Sequence, residues 1–92
     1  MNKHDLYGWD ERKRHDNIRK HDADFTLMRD FDWDTALTRQ DARRDYGEER
    51  SISIGYIGKR LYAVAWTPRD DKYRIISLRK ANPREERIYD KA

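Results

Sequence analysis

The sequence predicts an α+β domain in which two N-terminal helices pack on a small antiparallel sheet of three to four strands, followed by a short C-terminal helix. Two patterns support this: apolar side chains recur at helical spacing near the N-terminus, and they alternate with a period of two between residues 51 and 80. The predicted strands are joined by short turns, which force antiparallel pairing. At 92 residues, the chain is expected to form a single domain over residues 1–92.

The N-terminal third contains the two predicted helices. Residues 6–9 are a candidate edge strand, and Asp10 is a suitable N-cap for a helix over residues 11–21. Asp22 follows, and aspartate tolerates the left-handed conformation in which many helices end. Asp24 is expected to cap a second, shorter helix that is anchored by four apolar residues. Those residues are Phe25, Leu27, Met28 and Phe31.

The middle of the chain has the weakest pattern. Residues 32–38 are ambiguous, because Trp33 and Leu37 could sit in a short strand, and residues 39–49 are polar and indicate a loop. Three strands then follow over residues 51–56, 61–67 and 73–80. The second of them is apolar on both faces, which favours a central position. Turns are expected at Gly58-Lys59 and at residues 68–72.

The C-terminal helix has the clearest start in the chain. Asn82 is an N-cap, Pro83 occupies the first helical position, and Glu85 stands three residues after the cap. Ile88 and Tyr89 are expected to dock this helix on the sheet. The face of the sheet that the N-terminal helices leave uncovered should then carry arginines and tyrosines.

Composition excludes several kinds of site. Because the chain has no cysteine, it has neither disulfides nor thiolate zinc sites nor a cysteine nucleophile, and a reduced, cytoplasmic protein is expected. No glycine-rich phosphate loop is present, and the three histidines lack the spacing of metal ligands. No metal or other cofactor is therefore expected, and no segment is apolar enough to span a membrane.

Positive charge is concentrated towards the C-terminus. Residues 51–92 carry ten basic and five acidic side chains, whereas the whole chain has a net charge of +3. An arginine- and tyrosine-rich half suits binding to phosphates and unstacked bases. The alternative is a solvated surface laced with salt bridges, because charge balance informs on solubility and non-specific binding rather than on fold.

Three polar segments could carry chemistry: residues 17–21 at a helix end, residues 47–50 in a loop, and residues 74–80 in the last strand. On a regular strand, Arg74 and Lys80 share one face and Arg79 lies on the other. Each segment also has a purely structural interpretation. The basic side chains of residues 17–21 could stabilise the C-terminal end of a helix dipole. Residues 47–50 could be polar because they lie in a loop, and the charges of residues 74–80 could mark the ends of a surface strand.

If the three segments meet, they can form a ribonuclease site that needs no metal. RNA supplies its own nucleophile, the 2′-hydroxyl, and the enzyme must supply a base, an acid and cations that hold the charge of the phosphorane. Glu49, His21 or Lys20 could act as base or acid. The cations would be Arg74, Arg79 and Lys80, and Tyr73 or Tyr89 could stack on a base.

In their order and spacing, these segments resemble the BrnT family, toxins of type II toxin–antitoxin systems with a RelE-like ribonuclease fold. The resemblance runs from about residue 9 to residue 89, nearly the whole chain. It rests on Trp9-Asp10, Asn17, Lys20-His21, Phe25, Phe31-Asp32, Gly47-Glu48-Glu49-Arg50, Ile54-Gly55, Arg74-Ile75-Ile76-Ser77, Arg79-Lys80-Ala81, Glu85 and Tyr89.

The resemblance implies a cytoplasmic toxin that cleaves RNA and arrests translation without a metal. It also implies a cognate BrnA-like antitoxin with a ribbon-helix-helix DNA-binding part, through which the complex would bind its own operator. Asp22 departs from the family, which usually has Gly there, and Leu78 stands where a small residue is common. By position, the family's polar motif residues correspond to Lys20, His21, Glu49, Arg50, Arg74 and Arg79.

Two other classes remain open from the residues alone. A non-catalytic module would bind nucleic acid or a protein partner, losing nucleic-acid affinity steeply as salt rises. A structural subunit would have no role with nucleic acid. The residues proposed to contact RNA without reacting are Arg50, Tyr73, Lys80 and Tyr89.

Overall fold

The computed structural model describes residues 6–42 and 45–92. Within them, five strands form one mixed sheet in the order β1-β5-β4-β3-β2, in which β1 is parallel to β5 and the other neighbours are antiparallel. The elements in chain order are β1 (Tyr7–Gly8), α1 (Glu11–His21), a 3₁₀-helix (Phe25–Asp30), β2 (Leu37–Gln40), β3 (Ser51–Ile57), β4 (Arg60–Arg69), β5 (Lys72–Lys80) and α2 (Pro83–Lys91).

The fold is α+β, but the predicted arrangement of two N-terminal helices on three to four antiparallel strands is wrong. Only α1 is an α-helix in the N-terminal half of the described chain, and the second predicted helix is a six-residue 3₁₀-helix. The apolar spacing explains the difference. Phe25 and Met28, both fully buried, are three residues apart, which places them on one side of a helix with three residues per turn.

The two short edge strands make the sheet larger than predicted. β1 lies within the candidate strand at residues 6–9, but it pairs in parallel with β5, more than 60 residues away, and no local turn can indicate such a partner. β2 extends into residues 39–40, which the sequence indicated as loop. Its residues Thr38, Arg39 and Gln40 are exposed. Because an edge strand can expose polar side chains just as a loop does, composition does not distinguish the two here.

The local signals predict the ends of the elements well. Asp10 caps α1 through a hydrogen bond from the backbone N–H of Arg12, and Asp22 ends the helix in the left-handed conformation with φ 53°. At α2, Asn82 and Glu85 form the predicted capping box. The β4–β5 hairpin turns through Asp70 and Asp71, both at positive φ, as a two-residue turn of type I′ requires.

The sheet buries residues on both faces. The α1 face, covered by α1 and the 3₁₀-helix, contains the main core, in which Val64, Ile75 and Leu78 of the sheet meet Phe25 and Met28. The α2 face, on one end of which α2 docks, contains a smaller cluster of Ile54, Leu61 and Ala81, with Tyr56 and Tyr89 packed against it. Tyr89 therefore docks α2 on the sheet as the sequence predicts, whereas Ile88 is 39% exposed.

Asn17 ties α1 to the edge of β5. Its Nδ2 donates to the carbonyl oxygens of Ala23 at 2.9 Å and of Leu78 at 2.7 Å, and its Oδ1 accepts from the N–H of Leu78 at 3.1 Å. Among residues 6–42 and 45–92, β1 pairs only with Tyr73 and Arg74, so no strand of this part of the chain lies beside β5 at Leu78. The Asn17 amide takes the place of a peptide group there.

A second polar contact joins α1 to the 3₁₀-helix. The Arg14 guanidinium donates to both carboxylate oxygens of Asp24, at 2.8 and 3.0 Å, and Asp24 also caps the 3₁₀-helix through the N–H of Thr26. The hydrogen bonds from Arg14 lower the pKa of Asp24 to about 2. The connection between the two helices is thus fixed by a charged pair at the edge of the core.

Candidate functional site

A β-bulge decides which side chains β5 presents on the α2 face. Trp66 of β4 stands opposite Ile75 and Ala65 opposite Ser77, so Ile76 has no partner in β4. An extra residue on one strand reverses the side to which the following residues point.

The bulge places Arg74 and Arg79 on the same face. Arg74 is opposite Thr67 and Arg79 is opposite Ala63, and these partners are four residues apart in β4. Lys80, opposite Tyr62, lies on the α1 face. The prediction that Arg74 shares a face with Lys80 and not with Arg79 is therefore wrong, because it assumed a regular strand.

Arg79 is held by a carboxylate from α2. Its Nη1 and Nη2 donate to Oε1 and Oε2 of Glu85 at 2.7 and 2.9 Å, and Oε1 also accepts from the N–H of Asn82 at 2.9 Å. The hydrogen bonds from Arg79 keep the pKa of Glu85 below its ordinary value, although burial acts in the opposite direction. The Arg79 side chain is 36% exposed and that of Glu85 is 9% exposed, so the pair presents its cation to solvent.

Arg79 stands at the rim of a hollow of about 550 Å³ on the α2 face. One side of the hollow is formed by β2, the residues that follow it and β3, and the other side by the first turns of α2. The lining residues are Arg39, Gln40, Asp41, Ala42, Ile52, Arg79, Asn82, Arg84, Glu85 and Ile88.

Glu49 lies near the other arginine of β5. Its backbone carbonyl oxygen accepts a hydrogen bond of 2.6 Å from the hydroxyl of Thr67, the residue opposite Arg74. Glu49 and Arg74 therefore occupy the same end of the α2 face. Arg79 lies five residues further along β5, about 15 Å away at the usual rise per strand residue.

Arg50 belongs to the loop before β3. Its guanidinium lies over the ring of Tyr46, 4.0 Å from the centroid, and pairs with Glu48 at 3.4 Å. Its carbonyl oxygen accepts from the N–H of Asp41 at 2.8 Å. These contacts fix Arg50 beside the residues that line the hollow.

Lys20 and His21 are exposed at the C-terminal end of α1, on the opposite side of the sheet. Gly8 is opposite Arg74 and Asn17 contacts Leu78, so α1 runs in the same direction as β5. His21 is one helical turn beyond Asn17 and on the same side of the helix. His21 therefore lies near the C-terminal end of β5. The lining of the hollow beside Arg79, however, includes none of Lys20, His21 and Glu49.

The two tyrosines proposed to stack on bases both contact other rings. Tyr73 stacks on Trp33 with centroids 4.2 Å apart and lies edge-on to Trp66 at 4.7 Å. Tyr89 lies edge-on to Tyr56 at 5.4 Å, and its hydroxyl donates to the carbonyl oxygen of Thr35 at 3.2 Å. Tyr73 is thus part of the aromatic cluster on the α1 face, whereas Tyr89 is on the α2 face.

Sequence reasoning missed most of the residues around the hollow. Arg39 and Arg84 stand in polar, exposed segments without a distinctive spacing, so no signal pointed to them. Glu85 was recognised as a capping residue but not as the partner of Arg79. Its position three residues after Asn82 was the available signal, because a capping box places that carboxylate at the point where β5 ends.

A model of the family described as "Ribonuclease toxin, BrnT, of type II toxin-antitoxin system" matches residues 9–85 of the chain. The chain belongs to the BrnT family. A search of curated proteins finds no match. In the part of the chain that the structure describes, no helix has both the length and the apolar character needed to cross a bilayer.

The two departures from the BrnT pattern are both accommodated by the fold. Asp22 adopts the left-handed conformation that makes Gly common at such positions, and its N–H donates to the carbonyl of Ile18. Leu78 is fully buried in the core of the α1 face, between α1 and the sheet. Its larger side chain therefore adds to the core and does not point towards the hollow.

Proposed function

We propose that this chain is a metal-independent endoribonuclease toxin that arrests translation by cleaving RNA. Membership of the BrnT family supports ribonuclease activity. The observation that carries the proposal is the Arg79–Glu85 pair, which holds a partly exposed guanidinium rigidly at the rim of a hollow. A preorganised cation is what stabilises the charge that develops on a phosphorane.

In this proposal the 2′-hydroxyl of RNA attacks the adjacent phosphorus, and the 5′-oxygen leaves. Arg79 holds the non-bridging oxygens of the reacting phosphate, since guanidinium offers planar donors that match phosphate. Arg74, about 15 Å away along β5, holds a phosphate further along the RNA. The proton is taken from the 2′-hydroxyl and returned to the 5′-oxygen by members of the set Lys20, His21 and Glu49. The remaining RNA contacts are assigned to Arg50 and Tyr89 on the α2 face, and to Tyr73 and Lys80 where the RNA passes round the sheet to the α1 face.

The proposal includes a protein partner and a compartment. A type II toxin requires an antitoxin, and we assign that role to a BrnA-like protein with a ribbon-helix-helix part that binds operator DNA. The complex would act in the cytoplasm, and the sheet would belong to the RelE-like folds. The test of the partner is co-purification with the product of an adjacent small gene.

The activity is tested by incubating the purified chain with RNA in EDTA. We expect cleavage to persist in EDTA. Arg79→Lys should slow cleavage roughly 10²- to 10³-fold, the usual effect of removing one donor to a developing oxyanion. Arg74→Ala should weaken RNA binding roughly tenfold, as the loss of a charge-assisted hydrogen bond does. Arg79→Lys is preferable to alanine, because alanine would leave the buried carboxylate of Glu85 without a cation. Arg87→Ala, at an exposed position of α2 outside the hollow, is the control and should cleave normally.

A non-catalytic binding module remains the second candidate. It is favoured by one observation: the candidate acids and bases Lys20, His21 and Glu49 do not line the hollow beside Arg79. RNA that stays intact both with and without Mg²⁺, while the chain binds it in a salt-dependent way, would establish this alternative. Cleavage that is abolished by EDTA would contradict metal independence but not ribonuclease activity.

A further inference from the structure

The hollow on the α2 face combines cations with an apolar lining. Arg39, Arg79 and Arg84 surround it, and Ile52 and Ile88 supply aliphatic surface. Its volume of about 550 Å³ lies within the usual range of ~300–1,000 Å³ for small-molecule sites. The hollow is thus suited to a compact anion with an apolar part.

Arg39 and Arg84 face the hollow from different elements. Arg39 projects from β2, opposite Ile52 on the α2 face, and Arg84 projects from the first turn of α2. Within residues 6–42 and 45–92, neither guanidinium makes a hydrogen bond or an ion pair. Both keep their donors available to a ligand.

The carboxylates in the lining are engaged by other protein groups. Glu85 accepts from both terminal nitrogens of Arg79 and from the N–H of Asn82. Asp41 is 8% exposed and accepts from the hydroxyl of Tyr46 at 3.1 Å. Three arginines against two carboxylates give the lining a net positive charge.

We propose that this hollow binds one nucleotide of single-stranded RNA next to the scissile phosphodiester, with its phosphate between Arg39 and Arg84 and its base against Ile52 and Ile88. This inference rests on the proposed function, which places Arg79 at the reacting phosphate. Because Arg79 lines the same hollow as Arg39 and Arg84, RNA whose reacting phosphate lies at Arg79 has an adjoining nucleotide next to these two arginines. The compact shape favours a nucleotide over an acidic helix, which would need a long groove.

The test measures binding of a fluorescein-labelled pool of short, randomised 2′-O-methyl RNA, which lacks the attacking hydroxyl. Arg39→Ala and Arg84→Ala are compared with Arg87→Ala, which removes an exposed arginine from α2 outside the hollow. We expect each of the first two to weaken binding roughly tenfold, since charge-assisted hydrogen bonds have about this effect. Each should also reduce the slope of log K against log salt by about 0.7.

Two results would overturn the inference. One is an affinity for Arg39→Ala and Arg84→Ala that equals that of Arg87→Ala. The other is unchanged RNA affinity with a lost affinity for the antitoxin, which would assign the hollow to the protein partner. Cleavage of unmodified RNA by the wild-type chain is measured in parallel. If the chain binds the analogue through the hollow but cleaves no RNA, the proposed function fails and the binding site stands.

Discussion

Replacing Asn17 with alanine should destabilise the fold more than any exposed substitution in α1. The side chain is 5% exposed and makes three hydrogen bonds to backbone groups of Ala23 and Leu78. At about 1 kcal/mol net for each bond, the loss is roughly 3 kcal/mol. That is a large part of the ~5–15 kcal/mol that stabilises a typical domain. For a chain of this size it corresponds to a fall in Tm of roughly 12–24 °C.

The assay is urea unfolding followed by the fluorescence of the three tryptophans. Asn17→Ala should lower the midpoint and leave the slope m unchanged, because the surface exposed on unfolding stays the same. Gln40→Ala removes an amide that is exposed, and it should change the free energy of unfolding by less than about 0.5 kcal/mol. A loss below about 1 kcal/mol for Asn17→Ala would refute the argument that this amide replaces a strand neighbour.

Three further substitutions test the packing, a turn and a charged pair. Gly55→Ala would place a Cβ 2.6 Å from the ring of Phe31, and it should destabilise the fold by about 1–3 kcal/mol in urea, whereas Gly8→Ala meets no atom within 4 Å and should not. Asp71→Gly should increase the free energy of unfolding by about 0.5–1 kcal/mol and so raise the thermal midpoint, because glycine adopts the positive φ of 62° without strain. A lower midpoint would contradict this. The salt-bridged Asp24 has a pKa of about 2 against 3.8 in the unfolded chain, so its contribution to stability is present above pH 3.8 and is lost as the pH falls through 2. Thermal melting of Asp24→Asn should therefore be less sensitive to pH between these values, and an unchanged pH profile would rule out the role of this pair.

The parts of the fold that the sequence predicted correctly depend on contacts between near neighbours. The bounds of α1, its Asp10 cap, the left-handed Asp22 and the capping box at Asn82 each involve residues within four positions of one another. The 3₁₀-helix was mistaken for an α-helix because a segment of six residues is too short for its period to distinguish the two.

The sequence predicted the residue types of the candidate site, but not how its arginines face one another. Residue types and spacing identified Arg74 and Arg79 as candidates, and BrnT family membership supports the ribonuclease assignment. Their relative orientation came out wrong because a single bulge at Ile76 reverses the alternation of β5. Arg39 and Arg84 were missed altogether, since their proximity depends on how α2 packs over β2 and β3.

The amino-acid order by itself determined where helices and turns begin and end, and which chemical groups the chain possesses. The tertiary structure alone decided that β1 joins β5 in parallel, that Asn17 completes the edge of β5, and that Glu85 holds Arg79. The physical reason is the separation in sequence between the groups that interact. Caps and turns are satisfied by atoms a few residues away, whereas strand pairing and ion pairs between elements form only after distant segments have packed together.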